Sequence, residues 1–214
     1  MKRAATPSPA RTAAPKLDML KLHRAEYVAP RKPVLISTTP AWYLTVLGQG
    51  SPASACFEAR IGALYATAFT IKMTRKFAGQ QDYAVARLEC RYLNFERSMP
   101  PDPELWQWQL LIRTPEFVAQ ADLDAAVAAL RKRGKEGDAA LVRLERIDEG
   151  RAIQMLHIGP YEREGDTLAV MNAFAAAHGV ERAGVHHEIY ISDPRRVPAE
   201  KLKTILRMPV RPSA

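Results

Sequence analysis

Residues 151–194 read RAIQMLHIGPYEREGDTLAVMNAFAAAHGVERAGVHHEIYISDP, and this stretch decides the fold. It opens strand-like, just after a turn at Asp148-Glu149-Gly150. Asp166 can cap a helix whose apolar stripe is Leu168, Met171, Phe174 and Ala177, closed by Gly179. GVHHEIYISDP then reads as a strand, and the last part of KLKTILRMPV (201–210) is strand-like again. With ALVRLERI (140–147) in front, the unit runs strand, strand, helix, strand, strand.

A similar unit precedes it. VLIST (34–38) and WYLTVLG (42–48) are strand-like around Pro40. Ser51-Pro52 reads as a cap with proline in the first turn. The helix after it spans about Ala53 to Lys76, with Phe57, Ile61, Leu64, Ala68 and Ile71 on one face. DYAVARLECRYLNF (82–95) reads as strand, and alternation in WQWQLLIRT (106–114) puts Trp106, Trp108, Leu110 and Ile112 on one side. Thr114-Pro115 opens a further helical stretch with the stripe Leu123, Val127 and Leu130. WYLTVLGQG matches IQMLHIGPY, RLECRY matches HHEIYI, and WQLLIRTP loosely matches KTILRMPV, which sets Glu89 opposite Glu188. The expectation is one α+β domain over residues 31–214, with pseudo-repeats at about 34–113 and 140–211. Its architecture is a tandem β-α-β-β-type repeat forming a curved antiparallel sheet, helices over one face and a central ligand pocket.

The chain of 214 residues is 47% hydrophobic and 25% charged, a globular composition. It has no apolar run of bilayer length and no apolar h-region at its start, so a soluble, cytoplasmic protein is expected. Two cysteines, Cys56 and Cys90, make no disulfide framework. The net charge of +8 invites a nucleic-acid reading, but its distribution argues otherwise. Residues 1–33 carry +6 and residues 194–214 carry +5, whereas the stretch between carries −3. Residues 1–30 are therefore expected to be a disordered basic arm, with one helical turn around Leu17 to Leu22 in the mixed segment 16–32, and residues 1–33 are too short and proline-broken for a helix-turn-helix. Arg131, Lys132 and Arg133 sit at a helix end, where the dipole favours cations without any DNA contact.

MLHIGPYEREGDTLAVMNAFAAAHG, HHEIYISDPRR and KLKTILRMPV, in this order and spacing, resemble the GyrI-like small-molecule-binding family. WYLTVLGQG, ALYATAFTIKM, DYAVARLE and WQWQLLIRTPEFV are similar to its stand-alone branch, so the resemblance covers about residues 30–211. It implies a pocket between sheet and helices that binds hydrophobic, cationic or aromatic compounds. It also implies two alternatives: hydrolysis of the cyclopropane ring of DNA-alkylating natural products, or regulation through a protein partner such as gyrase. The sequence departs from the branch after Leu88-Glu89, where Cys90-Arg91-Tyr92-Leu93 replaces a Trp-rich stretch.

Glu188 is the sharpest candidate. It lies mid-strand, where acids are depleted, and alternation puts His186, Glu188 and Tyr190 on one face. A carboxylate among aromatic rings attracts a lipophilic cation and is suited to act as a base for water. The plainer alternative is a solvent-facing glutamate paired with a neighbour. The resemblance implies that Glu188 is the central pocket acid and that Tyr65 points into the pocket, there to hydrogen-bond a ligand carbonyl; by residue type alone Tyr65 is a core aromatic. Trp108 and Tyr92 are expected to wall the pocket, although strand aromatics are usually core. Glu89 is either a second acid by pseudo-symmetry or a partner of Arg87 or Arg91. His186 and Glu188 make too few ligands for a metal, with no third group evident, and a lone His157 reads as hydrogen-bonded structure rather than a haem ligand. No metal or cofactor is expected, and no nucleotide, serine-hydrolase or zincin motif is present. The expected partners are a small molecule and, as an alternative, a protein; no direct nucleic-acid or membrane contact is expected.

Overall fold

The computed structural model describes residues 15–95 and 101–213. Its strands are β1 (Val34–Ser37), β2 (Ala41–Gln49), β3 (Leu88–Tyr92), β4 (Gln107–Thr114), β5 (Arg143–Ile147), β6 (Arg151–Ile158), β7 (Val180–Arg182), β8 (His186–Tyr190) and β9 (Lys203–Pro212). The helices are α1 (Met19–Leu22), α2 (Arg24–Tyr27), α3 (Ala55–Phe77), α4 (Gln120–Lys132) and α5 (Glu164–Ala177).

The strands form one antiparallel sheet in the order β1-β6-β9-β8-β3-β4-β2-β5, with β7 on the end of β9. The two repeats meet at the β3–β8 seam. Each sends its first strand to the other half: β1 pairs with β6, and β5 pairs with β2. Pro40 and the Asp148-Glu149-Gly150 turn make this possible. Each ends a short strand before the next begins, and Gly150 supplies a φ of +62°.

One sheet face is apolar. Leu44, Val46, Trp108, Leu110 and Ile112 pack there with Leu64, Ala68 and Ile71 of α3. Ile153, Leu206 and Met208 pack with Met171 and Ala175 of α5. Trp108 lies flat against Gly48, where any Cβ would come 2.0 Å from the indole, so only glycine fits. The Trp108 indole donates to the Gly50 carbonyl (2.9 Å), and its ring meets Phe57 edge-on.

The other sheet face carries buried charge. Arg113 pairs with Glu26 (2.8 Å), and Arg207 pairs with Glu149 (2.9 Å). His187 lies 2.9 Å from both Glu149 and Glu89. Tyr27 donates to Glu89 (2.8 Å). This corrects the arm boundary. Residues 19–27 are helical, and Met19, Glu26 and Tyr27 are buried, because Glu26 is the counter-charge of a buried arginine. The rest of the expected arm, residues 1–14, lies outside the described residues. The short helix α2 thus covers the sheet on the side away from α3 and α5, a second layer beyond the expected single face of helices.

Local boundaries shift for local reasons. The α3 cap is Ser54, which accepts from the Phe57 N–H (3.2 Å), and Ser51-Pro52 falls in the preceding turn. Residues 82–87 bury Tyr83 and Ala86 but join no strand ladder, and Tyr83 forms an isolated bridge with Leu17. Pro115 belongs to a turn, so α4 begins at Gln120. Asp166 sits inside the first turn of α5, bonded to Arg163, rather than capping it. Among the described residues no helix is long and apolar enough to cross a membrane.

Candidate functional site

β8 lies inside the sheet with β3 and β9 on its two sides, so a side chain from its middle is enclosed by neighbouring strands. Glu188 occupies that middle, opposite Cys90 on β3 and Leu206 on β9, and is 6% exposed. The solvent-facing alternative is thereby excluded. His186 Nε2 lies 3.1 Å from one carboxyl oxygen, and the Tyr190 hydroxyl donates to the other at 2.9 Å. His186, Glu188 and Tyr190 therefore share a face and act on one carboxylate, as strand alternation requires.

The surrounding rings form a polar-tipped aromatic shell. Phe95 stacks on His186 at 4.6 Å, and Tyr92 lies on the same ring at 6.0 Å. Tyr161 meets Tyr190 edge-on at 6.0 Å. Burial, reinforced by the Glu188 charge, pushes the Tyr92 and Tyr190 hydroxyls and the Cys90 thiol well above their ordinary ranges, so all three stay protonated at neutral pH. Burial and the Glu164 charge push Tyr161 up to about 12.

Glu164 is the residue that reading the sequence misses. It opens α5, where an acid ordinarily needs no explanation beyond the helix dipole. The turn after β6 folds that helix start back onto β8. One donor atom each from Glu164, His186 and Glu188 lies within 4.8 Å of the others, which supplies the third group absent from the metal argument. Both Glu188 oxygens and His186 Nε2 are already engaged within the protein. Burial first, then the charge of Glu188 and a hydrogen bond with it, raise the Glu164 carboxyl well above the usual carboxylate range. Its Oε1 is buried and without a hydrogen-bond partner, as is Nδ1 of His186. Among the described residues neither Glu164 nor Glu188 forms a salt bridge with lysine or arginine.

The structure thus brings together Glu188, His186, Tyr190 and Tyr92. Trp108 and Tyr65 belong to the same apolar cluster as Tyr92 and Tyr190, and Trp108 lies opposite Tyr92 in the β3–β4 register. Trp108 is fully buried in the core against Gly48 and Phe57. Tyr65 is half-buried, stacked on Phe69, with the Leu88 backbone, Asp193 and Arg195 as its polar neighbours. Glu89 corrects the pseudo-symmetric expectation. The register sets Cys90, not Glu89, opposite Glu188, so Glu89 points to the other face and pairs there with Tyr27 and His187 instead of Arg87 or Arg91. His157 is satisfied by Thr167 (2.8 Å) and the Pro160 carbonyl (3.1 Å).

A cleft of about 450 Å³ is lined by His157, Pro160, Arg163 and Thr167, and another of about 420 Å³ lies along α4. Neither includes Glu188.

A buried acid pair within an aromatic shell, at the seam of a duplicated sheet, is the architecture of a small-molecule-binding domain. Residues 120–211 match the model of the GyrI-like small molecule binding domain. An uncharacterized conserved protein from Listeria innocua is 36% identical, over 92% of this chain and 100% of its own, with a TM-score of 0.86. A hydrolase from the same organism, encoded by lin2189, is 34% identical at the same coverage and TM-score. The EcmrR C-terminal domain, at 10% identity and a TM-score of 0.57, shares the fold over 85% of this chain and 98% of its own. No curated protein matches the chain. The chain belongs to the GyrI-like small-molecule-binding family.

Proposed function

We propose that this protein is a hydrolase that opens a strained cyclopropane ring in hydrophobic, carbonyl-conjugated small molecules, with Glu188 as the base that activates water. One observation carries the reading. Glu188 is a buried carboxyl group held by Tyr190 at 2.9 Å and His186 at 3.1 Å, and among the described residues it forms no salt bridge with lysine or arginine. A structural glutamate at such a position would be paired, as those on the opposite sheet face are. The 34% identical relative described as a hydrolase supports the same direction. Tyr92, held neutral beside the site, is a donor for the carbonyl on which charge develops as the ring opens. Tyr65 has other neighbours and is not assigned that role here.

The test is incubation with a cyclopropane-bearing alkylator, following the water adduct by mass spectrometry. Turnover above buffer, abolished in Glu188→Gln, is expected. A wild-type rate equal to buffer removes the enzymatic reading.

Among the described residues Glu164 and Glu188 have no lysine or arginine salt bridge, which favours a second reading, capture of lipophilic cations between ring faces. Titration with cationic aromatic dyes then gives tight binding that weakens in Glu188→Gln. Equal affinity in both proteins rejects it.

A further inference from the structure

Arg182 on β7 differs from the other arginines of the sheet. Among the described residues, Arg60, Arg75, Arg91, Arg113 and Arg207 also bury a guanidinium nitrogen that lacks a hydrogen bond, yet each guanidinium has a carboxylate or amide partner. Arg182 has neither a hydrogen bond nor an ion pair, although its Nη1 is buried. Burial lowers its proton affinity below the ordinary arginine range, and no carboxylate offsets that. Glu181, its neighbour in the chain, points through the sheet and pairs with Arg211 (2.7 Å). A guanidinium N–H withdrawn from water without an acceptor is costly, and an anion brought to the group would recover that cost.

The strand register fixes where this charge lies. Arg182 stands opposite Val210 and Glu188 opposite Leu206, four residues apart on β9. The even spacing puts Arg182 on the same sheet face as Glu188, roughly 13 Å along it. Rings occupy the interval. The Arg182 guanidinium carbon lies over Phe95, 4.5 Å from its centroid. Phe95 stacks on His186, Tyr92 lies on the same imidazole, and Trp106 meets Tyr92 edge-on at 5.9 Å.

We propose that Arg182 anchors a second ligand subsite, which takes an oxyanion (carboxylate, sulfonate or phosphate) carried by a hydrophobic aromatic molecule. The planar guanidinium offers adjacent N–H donors that match an oxyanion, and its nitrogens other than Nη1 are the ones open to it. Phe95, Tyr92 and Trp106 supply an apolar bed for the rest of the molecule. Glu188 and Glu164 disfavour negative charge at the other end, so the two ends of this face orient a ligand by its charge. The subsite needs binding and no turnover, so it stands or falls apart from the hydrolase reading.

The test uses two dyes of one shape, 8-anilinonaphthalene-1-sulfonate and uncharged N-phenyl-1-naphthylamine, titrated by fluorescence into wild type, Arg182→Gln and Arg182→Lys. Thermal melts confirm that the variants fold. The wild type is expected to bind the sulfonate more tightly than the neutral dye. Arg182→Gln should weaken the sulfonate roughly ten-fold or more while holding the neutral dye within about two-fold, and Arg182→Lys should keep part of the preference. Added salt should weaken sulfonate binding in the wild type more than in Arg182→Gln. A nitrogen-15 spectrum gives a local readout: the Arg182 Nε–H resonance, identified by its loss in Arg182→Gln, should shift with the sulfonate and not with the neutral dye. Sulfonate affinity within about two-fold of wild type in Arg182→Gln overturns the subsite, as does an Arg182 resonance indifferent to the sulfonate. Equal weakening of both dyes makes Arg182 a packing residue on Phe95 and overturns it too. Absence of ring opening in the wild type leaves every one of these outcomes readable.

Discussion

The two faces of β8 treat buried carboxylates in opposite ways. Behind the strand, Glu26, Glu89 and Glu149 meet Arg113, His187 and Arg207. With His187 protonated, three negative and three positive charges balance. Burial alone would raise Glu149, yet His187 and Arg207 hold it well below the usual carboxylate range. Burial alone would lower His187, yet Glu149 and Glu89 raise it. In front, among the described residues, Glu164 and Glu188 have tyrosines and one histidine for company and no salt bridge with lysine or arginine. The back face is therefore a structural network. The front face carries an uncompensated charge, which is how a site that must act on something else differs from one that must only hold.

The largest effect should come from removing residues 15–30. That leaves Arg113 without Glu26 and Glu89 without Tyr27, and takes Met19 and Tyr27 from buried positions. Loss of a cooperative urea transition is expected; a transition within about 1 kcal/mol of the full chain would mean that the back face needs no N-terminal layer.

Glu149→Gln should destabilise by about 3–5 kcal/mol in urea unfolding, since two buried cations lose a partner. The pH dependence of the wild type has two sides. Glu149, depressed in the folded state, contributes stability above the ordinary carboxylate range that is lost as pH falls. His187, raised in the folded state, contributes stability below the ordinary histidine range that is lost as pH rises through its raised value. Urea midpoints across pH should thus fall toward both ends; Glu149→Gln should lose the acid-side contribution of Glu149 and keep part of the alkaline fall, since Glu89 still faces His187, and an unchanged profile would contradict the assignment.

On the front face the order of sensitivity reverses. Glu188→Gln should lower ring opening by about 100-fold or more while shifting stability by less than about 1 kcal/mol. The smallest effect belongs to Tyr65→Phe. Its neighbours are the Leu88 backbone and the Asp193–Arg195 segment, so turnover should change by less than about three-fold. A 100-fold loss there would return Tyr65 to the catalytic set.

Most of the fold was legible because its signals are local. Alternation marks Trp108, Leu110 and Ile112 on one face of β4, and helical spacing marks Leu64, Ala68 and Ile71 on α3. The exchange of β1 and β5 between repeats was not legible, because strand partners are chosen by non-local register. The same limit misplaced Glu89, for a one-residue offset sends a side chain through the sheet. Glu188 could be found, because an acid in mid-strand is out of place. Glu164 could not, because an acid in the first turn of a helix is ordinary, and only the fold turns that helix start onto β8. Glu26 was hidden inside a segment whose composition suggests a solvated arm.

The most direct test of the contrast between faces is urea unfolding of Glu164→Gln beside wild type from about pH 5 to about pH 9. Folding raises the proton affinity of Glu164, so the wild type loses stability as pH climbs above the ordinary carboxylate range, and glutamine carries no such penalty. The account predicts a variant at least as stable as wild type, with an advantage that grows with pH. A loss of about 3 kcal/mol at neutral pH, matching that expected for Glu149→Gln, would contradict it.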